Sequence, residues 1–234
     1  MNKPIAIITG ASKGIGKNLA IKLSDNYFIY LISRNKKKLE ETKQIIEDKN
    51  NNCEIIPCDI TQNESINKIS SMIKNLEKIE LLINNAGLGV FKNISDTTIE
   101  EWDKTINTNL KGSFLMTKMV VNKFKSNKSG KIVFINSVAG IKPFENSTSY
   151  CASKYGLRGF ASSLREELRS FNVKVISVFP GAVNTSIWND KNMDEHRKYM
   201  MQTDDLCDII INSINAKNNC VVEEITIRRN AGDF

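Results

Sequence analysis

Apolar positions along this chain follow two alternating rhythms. Short apolar runs rich in β-branched residues are separated by longer stretches whose apolar residues return every three or four positions. The runs predict strands over Ile5–Thr9, Phe28–Ser33, Glu54–Pro57, Glu80–Asn84, Lys131–Asn136, Lys174–Phe179 and Glu224–Ile227. The stretches predict helices over Ile15–Ser24, Lys36–Asp48, Asn63–Asn75, Ile99–Phe124, Tyr150–Phe171 and Asp204–Ala216. Near-continuous apolar strands alternating with helices imply a parallel sheet covered on both faces. Right-handed crossovers then make an α/β doubly wound sheet of about seven strands, with ligands at the carboxyl ends of the strands. No internal repeat, proline-rich linker or composition shift interrupts the pattern, so residues 1–234 read as one domain.

One segment lacks a clear period, from Ala182 to about Thr203. It follows "FPG" and precedes the last helix, so it should overhang the carboxyl edge of the sheet. Loops of that length in compact domains are usually functional or mobile. Its apolar members Ile187, Trp188, Met193, Tyr199, Met200 and Met201 are expected to form a lid facing substrate, with a surface helix as the alternative.

The composition, 41% hydrophobic and 25% charged, is that of an ordinary globular domain. No apolar window of about 18 residues occurs, so no membrane-spanning helix is expected. The opening "MNKPIAIITG" lacks the apolar core and cleavage site of a secretory signal. Five cysteines without a C-x-x-C pair suggest reduced thiols and a cytoplasmic protein. A single histidine, His196, argues against a histidine-based metal site or a Ser-His-Asp triad, and no metal is expected. The net charge of +7 is spread over solvated helical faces such as "NKKKLEETKQIIEDK", so no nucleic-acid partner is expected. That positive field would still favour a phosphorylated cofactor or an acidic carrier.

The first strand runs straight into "TGASKGIG", Thr9 to Gly16, with three glycines in seven residues. A glycine-rich strand-to-helix turn offers free amides and a helix dipole to an anion, yet a tight turn alone would use the same residues. Further signals fall at other strand ends: "NNAG" (Asn84–Gly87), Ser137, and Pro180–Gly181. Beyond Ser137, Tyr150 and Lys154 in "YCASK" stand four residues apart at the start of a helix, on one face.

Taken together, "TGASKGIG", "CDI" (Cys58–Ile60), "NNAG", "NTNLKGSF", "INS", "YCASK" and "PGAVNT" resemble the short-chain dehydrogenase/reductase family across essentially the whole chain. The resemblance implies a Rossmann fold and a catalytic tetrad of Asn109, Ser137, Tyr150 and Lys154. Tyr150 would exchange a proton with the substrate oxygen, Lys154 would lower the phenol's pKa by two to three units and hold the nicotinamide ribose, Ser137 would bond the substrate oxygen, and Asn109 would hold a relay water. It further implies a pyrophosphate turn at Gly10, Ser12, Gly14, Ile15 and Gly16. Asp59 and Ile60 would lie near the adenine, with Asn85, Ala86 and Gly87 beside the adenosine ribose. Pro180, Gly181, Val183 and Thr185 would lie at the nicotinamide.

No carboxylate ends the second strand, where one would select NAD. Ser33 and Arg34 stand there instead, and Arg34 with Lys13 suits a 2′-phosphate, so NADP(H) is the expected cofactor. The expected substrate is a small-molecule carbonyl or alcohol, in a pocket walled by Val90, Phe91, Ile141, Phe144, Trp188 and Met193. The alternative is 3-oxoacyl-carrier-protein reduction, with Lys125, Lys128 and Arg169 meeting an acidic carrier near the site mouth. A cofactor-sensing regulator without turnover is disfavoured because Tyr150 and Lys154 are both present. A homodimer or homotetramer through the long helices follows family habit.

Overall fold

The computed structural model describes residues 3–188, 194–217 and 219–232. Seven strands form one sheet: β1 (Ile5–Thr9), β2 (Phe28–Ser33), β3 (Cys53–Pro57), β4 (Ile79–Asn84), β5 (Gly130–Ile135), β6 (Val173–Pro180) and β7 (Glu224–Ile227). Their order is β3-β2-β1-β4-β5-β6-β7, and every neighbouring pair is parallel. The crossovers carry α1 (Gly14–Leu23), α2 (Lys36–Asp48), α3 (Asn63–Met72), α4 (Ile99–Ile106), α5 (Gly112–Asn127) and α6 (Thr148–Arg169). The single turn α7 (Asp194–Arg197) and the helix α8 (Thr203–Ile214) separate β6 from β7.

Period-two alternation sorts the strand side chains between two helical layers. Ile5 and Ile7 of β1 pack with Leu115, Val120, Leu157 and Leu164 of α5 and α6, whereas Ala6 and Ile8 pack with Leu19, Leu23, Leu206 and Ile210 of α1 and α8. Both faces are therefore buried, which is why the strands read as continuous apolar runs. Chain order reverses at β1, and the crevice between the carboxyl ends of β1 and β4 opens there. Thr9 closes its base, its hydroxyl accepting from the amides of Asn85 and Ala86, both at 3.0 Å.

The helix expected over Ile99–Phe124 is interrupted. Between α4 and α5 lies a five-residue π-helical turn, Asn107–Lys111. Asn109 in this turn is buried and bonded to groups far away in sequence, a reason to depart from regular helix that local periodicity does not carry. Elsewhere the predicted boundaries lie within a few residues of those observed. At the far edge, β7 is held by arginines of α6. Arg158 makes two bonds to Glu224 at 3.1 and 2.9 Å, and buried Arg165 donates to the Val175 and Glu223 carbonyls at 3.0 and 2.8 Å.

The five cysteines are unpaired. Among the described residues no helix is long and apolar enough to cross a membrane, and no group of three or more His, Cys, Asp or Glu side chains could hold a metal.

Candidate active site

A cavity of about 580 Å3 runs along the carboxyl edge of the sheet. Its floor is set by the first turns of α6. Tyr150 and Lys154 are both buried there on one helical face, with the Lys154 ammonium 5.7 Å from the centre of the Tyr150 ring. Lys154 Nζ donates to the carbonyl of Ile135, the last residue of β5, at 2.9 Å. Ser137 lies two residues further on and shares a hydrogen bond with the Tyr150 phenol.

Asn136, a residue the sequence reading passed over inside "INS", locks these parts together. Its Oδ1 accepts from the Ser137 amide at 2.9 Å, and its Nδ2 donates to the Lys154 carbonyl at 3.2 Å. Gly140 permits this approach, since a Cβ there would sit 2.8 Å from the Lys154 carbonyl oxygen.

The electrostatics correct one expectation. Burial pushes the Tyr150 phenol up to about 12, and the Ser137 hydrogen bond opposes only part of that rise. Burial likewise pushes the Lys154 ammonium down to about 8. The predicted fall of the phenol is thus not a property of the protein alone. Desolvation outweighs attraction when both charges are buried and the ammonium is turned to a backbone carbonyl.

Asn109 is buried beside these groups. It does not line the cavity. Its Oδ1 accepts from the Leu88 amide, and its Nδ2 donates to the Leu88 carbonyl and the Ser153 hydroxyl, all at 2.9 Å. The side chain joins the segment after β4 to α6.

At the other end of the cavity lie Gly10, Ser12, Lys13, Gly14 and Ile15, facing Ser33, Arg34, Asp59 and Ile60. Helix α1 starts there with no side-chain cap and no acidic residue in its first turn, so its free amides open towards the cavity. Arg34 and Lys13 are exposed. The Lys13 pKa is lowered, first by burial and then by repulsion from Lys38 and Arg34, which identifies Lys38 as a third cation the sequence reading missed. Ser33 and Ser12 are linked through their hydroxyls at 2.8 Å. Such an end suits a phosphorylated dinucleotide: uncapped amides for a pyrophosphate, and Lys13 and Arg34, with Lys38 behind Lys13, for a further phosphate.

Of the three glycines, Gly16 is buried and outside the cavity lining. A Cβ on Gly16 would lie 2.5 Å from the Gly10 carbonyl, and one on Gly10, where φ is +66°, would lie 2.9 Å from Ala86 Cα. Two of the glycines are therefore demanded by the packing of the turn against "NNAG", as well as by any ligand.

Asn85, Ala86 and Gly87 line the middle of the cavity, and Pro180, Gly181, Val183 and Thr185, which follow β6, line its other side. Of the expected substrate walls, Phe91, Phe144 and Trp188 line the cavity, together with Glu145, which periodicity gave no reason to single out. Val90 and Ile141 do not, and Met193 lies outside the described residues. Among the expected lid members, Ile187 and Trp188 reach the cavity. Met200 is buried, Met201 packs on the core beneath, and Tyr199 is exposed, because the chain at Met201 bridges back to Val183. Lys125, Lys128 and Arg169 are corrected too. They end α5 and α6, which run antiparallel to the strands, so they lie at the amino edge of the sheet, away from the site mouth.

The short chain dehydrogenase family model matches residues 4–196. A sepiapterin reductase from Chlorobaculum tepidum is 35% identical over 99% of this chain and 98% of its own length. A metagenomic short-chain oxidoreductase, solved in complex with NADP, is 29% identical and superposes with a TM-score of 0.84 over 97% of this chain and 96% of that one. ElxO, solved with NADP bound, is 25% identical with a TM-score of 0.86 over 97% of each chain. A fold with this strand order, a Tyr-x-x-x-Lys pair at the floor of its crevice and this extent of likeness has one reading: the chain belongs to the short-chain dehydrogenase family and is an oxidoreductase of it.

Proposed function

We propose that this protein is an NADP(H)-dependent oxidoreductase acting on the carbonyl or secondary alcohol of small molecules. The observation that carries the reading is the trio of Ser137 with buried Tyr150 and Lys154 at one end of a cavity whose other end is cationic and built from free helix amides. NADP-bound relatives support the choice of cofactor, as do Arg34, Lys13 and Lys38.

Bound NADPH would supply the hydride. The protein supplies the proton and the positioning. Tyr150, protonated throughout the neutral range, donates its proton to the substrate oxygen, and Ser137 donates a hydrogen bond to the same oxygen as charge develops there. Lys154 places a positive charge near the phenol and would hold the ribose hydroxyls of the bound cofactor. Asn109 and Asn136 are positioning residues, acting through Leu88, Ser153, Ser137 and Lys154. The segment 182–203 is read as a lid, and among its described residues the Val183–Met201 bridge and Arg197, which donates to the carbonyls of Thr185 and Trp188, tie together the stretches 183–188 and 197–201. Assembly into a dimer or tetramer through α5 and α6 belongs to the same reading, supported by half-exposed Phe114 and Tyr155 on those helices.

The test is a panel of ketones, α-diketones, sepiapterin and acyl thioesters, with consumption of NADPH and of NADH followed by absorbance. NADPH-driven reduction of free carbonyls supports the reading. Turnover confined to carrier-bound thioesters overturns the substrate class, and equal use of both cofactors overturns the cofactor.

A further inference from the structure

A second cavity, of about 530 Å3, lies on the outer side of the glycine turn, between α1, α2 and the stretch that follows β6. Lys13, Gly14, Thr185 and Ser186 line both cavities and so form the wall between them. That wall is close-packed: a Cβ on Gly14, where φ is +56°, would lie 3.3 Å from Thr185 Cγ2. Lys17, Asn18, Lys38, Asn184, Arg197 and Thr203 line the outer cavity and not the inner one.

The frame of the outer cavity is fixed on two sides. Asn18 donates to the Thr203 hydroxyl at 3.2 Å, joining α1 to the first residue of α8. Arg197 donates to the Asn184 side-chain oxygen and to the Thr185 carbonyl, both at 3.3 Å, and to the Trp188 carbonyl at 2.6 Å.

The charges on the lining have one sign. Lys13, Lys17 and Lys38 are there, and among the described residues no carboxylate is. These lysines differ from their neighbours. Lys22 of α1 bridges Asp204 and Asp208 at 2.9 and 2.6 Å, and Lys36 and Lys43 of α2 pair with Glu40 and Glu47 at 3.7 and 3.5 Å. Among the described residues Lys13, Lys17 and Lys38 enter no ion pair, and Lys17 is half-buried. Burial, then repulsion from Lys38 and Arg34, lowers the Lys13 pKa. Like charges gathered at one cavity cost free energy that a bound anion relieves.

The neutral lining sets the character of that anion. Ile21 is its one apolar side chain among the described residues, and no ring is there for a nucleobase to stack on. Asn184, Thr185 and Ser186 offer amide and hydroxyl groups instead.

We propose that the outer cavity is a second anion site, taking a small polyphosphate without a nucleobase, such as an inorganic oligophosphate or a sugar bisphosphate. It is separate from the positions of the cofactor's own phosphates, and the cofactor reading enters only in saying which positions those are.

The experiment is calorimetric titration of pyrophosphate, and of a hexose bisphosphate, into the full-length protein saturated with NADP+, with citrate at equal ionic strength for comparison. Saturable binding of at least one of the two phosphate compounds is expected. Lys17→Gln should weaken it about tenfold and leave NADP+ affinity near wild type, whereas Lys68→Gln, on α3, should change neither. No saturable binding to the loaded protein overturns the second site, because any anion seen without cofactor then sits where the cofactor's phosphates go. Binding unaffected by Lys17→Gln, or weakened equally by Lys68→Gln, overturns it as well. Citrate bound as tightly as the phosphate compounds overturns the ligand class. If NADP+ itself does not bind, the cofactor reading fails, and the same titration of cofactor-free protein decides the inference separately. A greater loss with Lys17→Gln than with Arg34→Gln upholds it, and an equal or smaller loss overturns it.

Discussion

At Tyr150 and Lys154 burial moves two groups in opposite senses, the phenol up to about 12 and the ammonium down to about 8. For reduction the raised phenol is the useful form, because a donor must hold its proton at working pH. Tyr150→Phe removes only the hydroxyl, so the rate of reduction should fall at least about a hundredfold while NADPH affinity and melting temperature stay near wild type. A variant retaining more than a few per cent of the rate would remove Tyr150 from the donor role. The lysine makes a prediction about stability. Below pH 8 it is charged both folded and unfolded, and the fold bears the full cost of burying it. Between pH 8 and 10.5 the unfolded chain binds more protons than the folded one, so the stability contributed by this group rises with pH. Lys154→Met should therefore stabilise the protein at neutral pH, by an amount on the order of 3 kcal/mol, with the gap to wild type closing by about pH 10.5. Denaturant melts of both proteins across that range check it; a variant less stable than wild type at pH 7 contradicts it. Tyr150, Lys154 and Ser137 could be placed at one site from the sequence because the family resemblance carries their order; the Tyr-x-x-x-Lys spacing alone would not have done so. Asn109 was legible as a residue but not in its task, since Leu88 and Ser153 lie 21 and 44 residues away along the chain.

Among the elements, those with one repeating environment were the readable ones. Strands buried on both faces and helices buried on one carry their period openly, and β1, β2, α2 and β7 fall where the pattern puts them. The break between α4 and α5 did not show, because it depends on contacts made by Asn109 outside its own helix. The glycine turn was readable as a turn, but its physical demand is shared between ligand and packing. Gly16→Ala separates the two. The added Cβ, 2.5 Å from the Gly10 carbonyl, must displace backbone, so stability should fall by about 1–3 kcal/mol even without cofactor, with weaker NADPH binding besides. Thermal melting of the cofactor-free variant checks this, and an unchanged melting temperature would return the glycine's role to the ligand alone.

In the whole molecule, one cavity joins a cationic end to an aromatic end, with the buried phenol between them. The cationic end predicts preference. Arg34→Asp should weaken NADPH binding by about ten- to a hundredfold and narrow or reverse the advantage over NADH, as titration of each cofactor would show. Equal wild-type affinities for the two cofactors would contradict the assignment of Arg34. The positive surface charge at the ends of α5 and α6 misled the sequence reading, because a linear chain does not show which edge of the sheet a helix terminus reaches. The central claim is that this cavity passes a hydride from NADPH to a carbonyl carbon while Tyr150 protonates the oxygen. Its most direct test is incubation of a reducible diketone with NADPH deuterated at the transferable position, followed by mass and magnetic-resonance analysis of the product. The account predicts one deuterium on the new carbinol carbon with wild-type protein and no product above background with Tyr150→Phe. Product lacking deuterium at that carbon, or formed equally well by Tyr150→Phe, would contradict it.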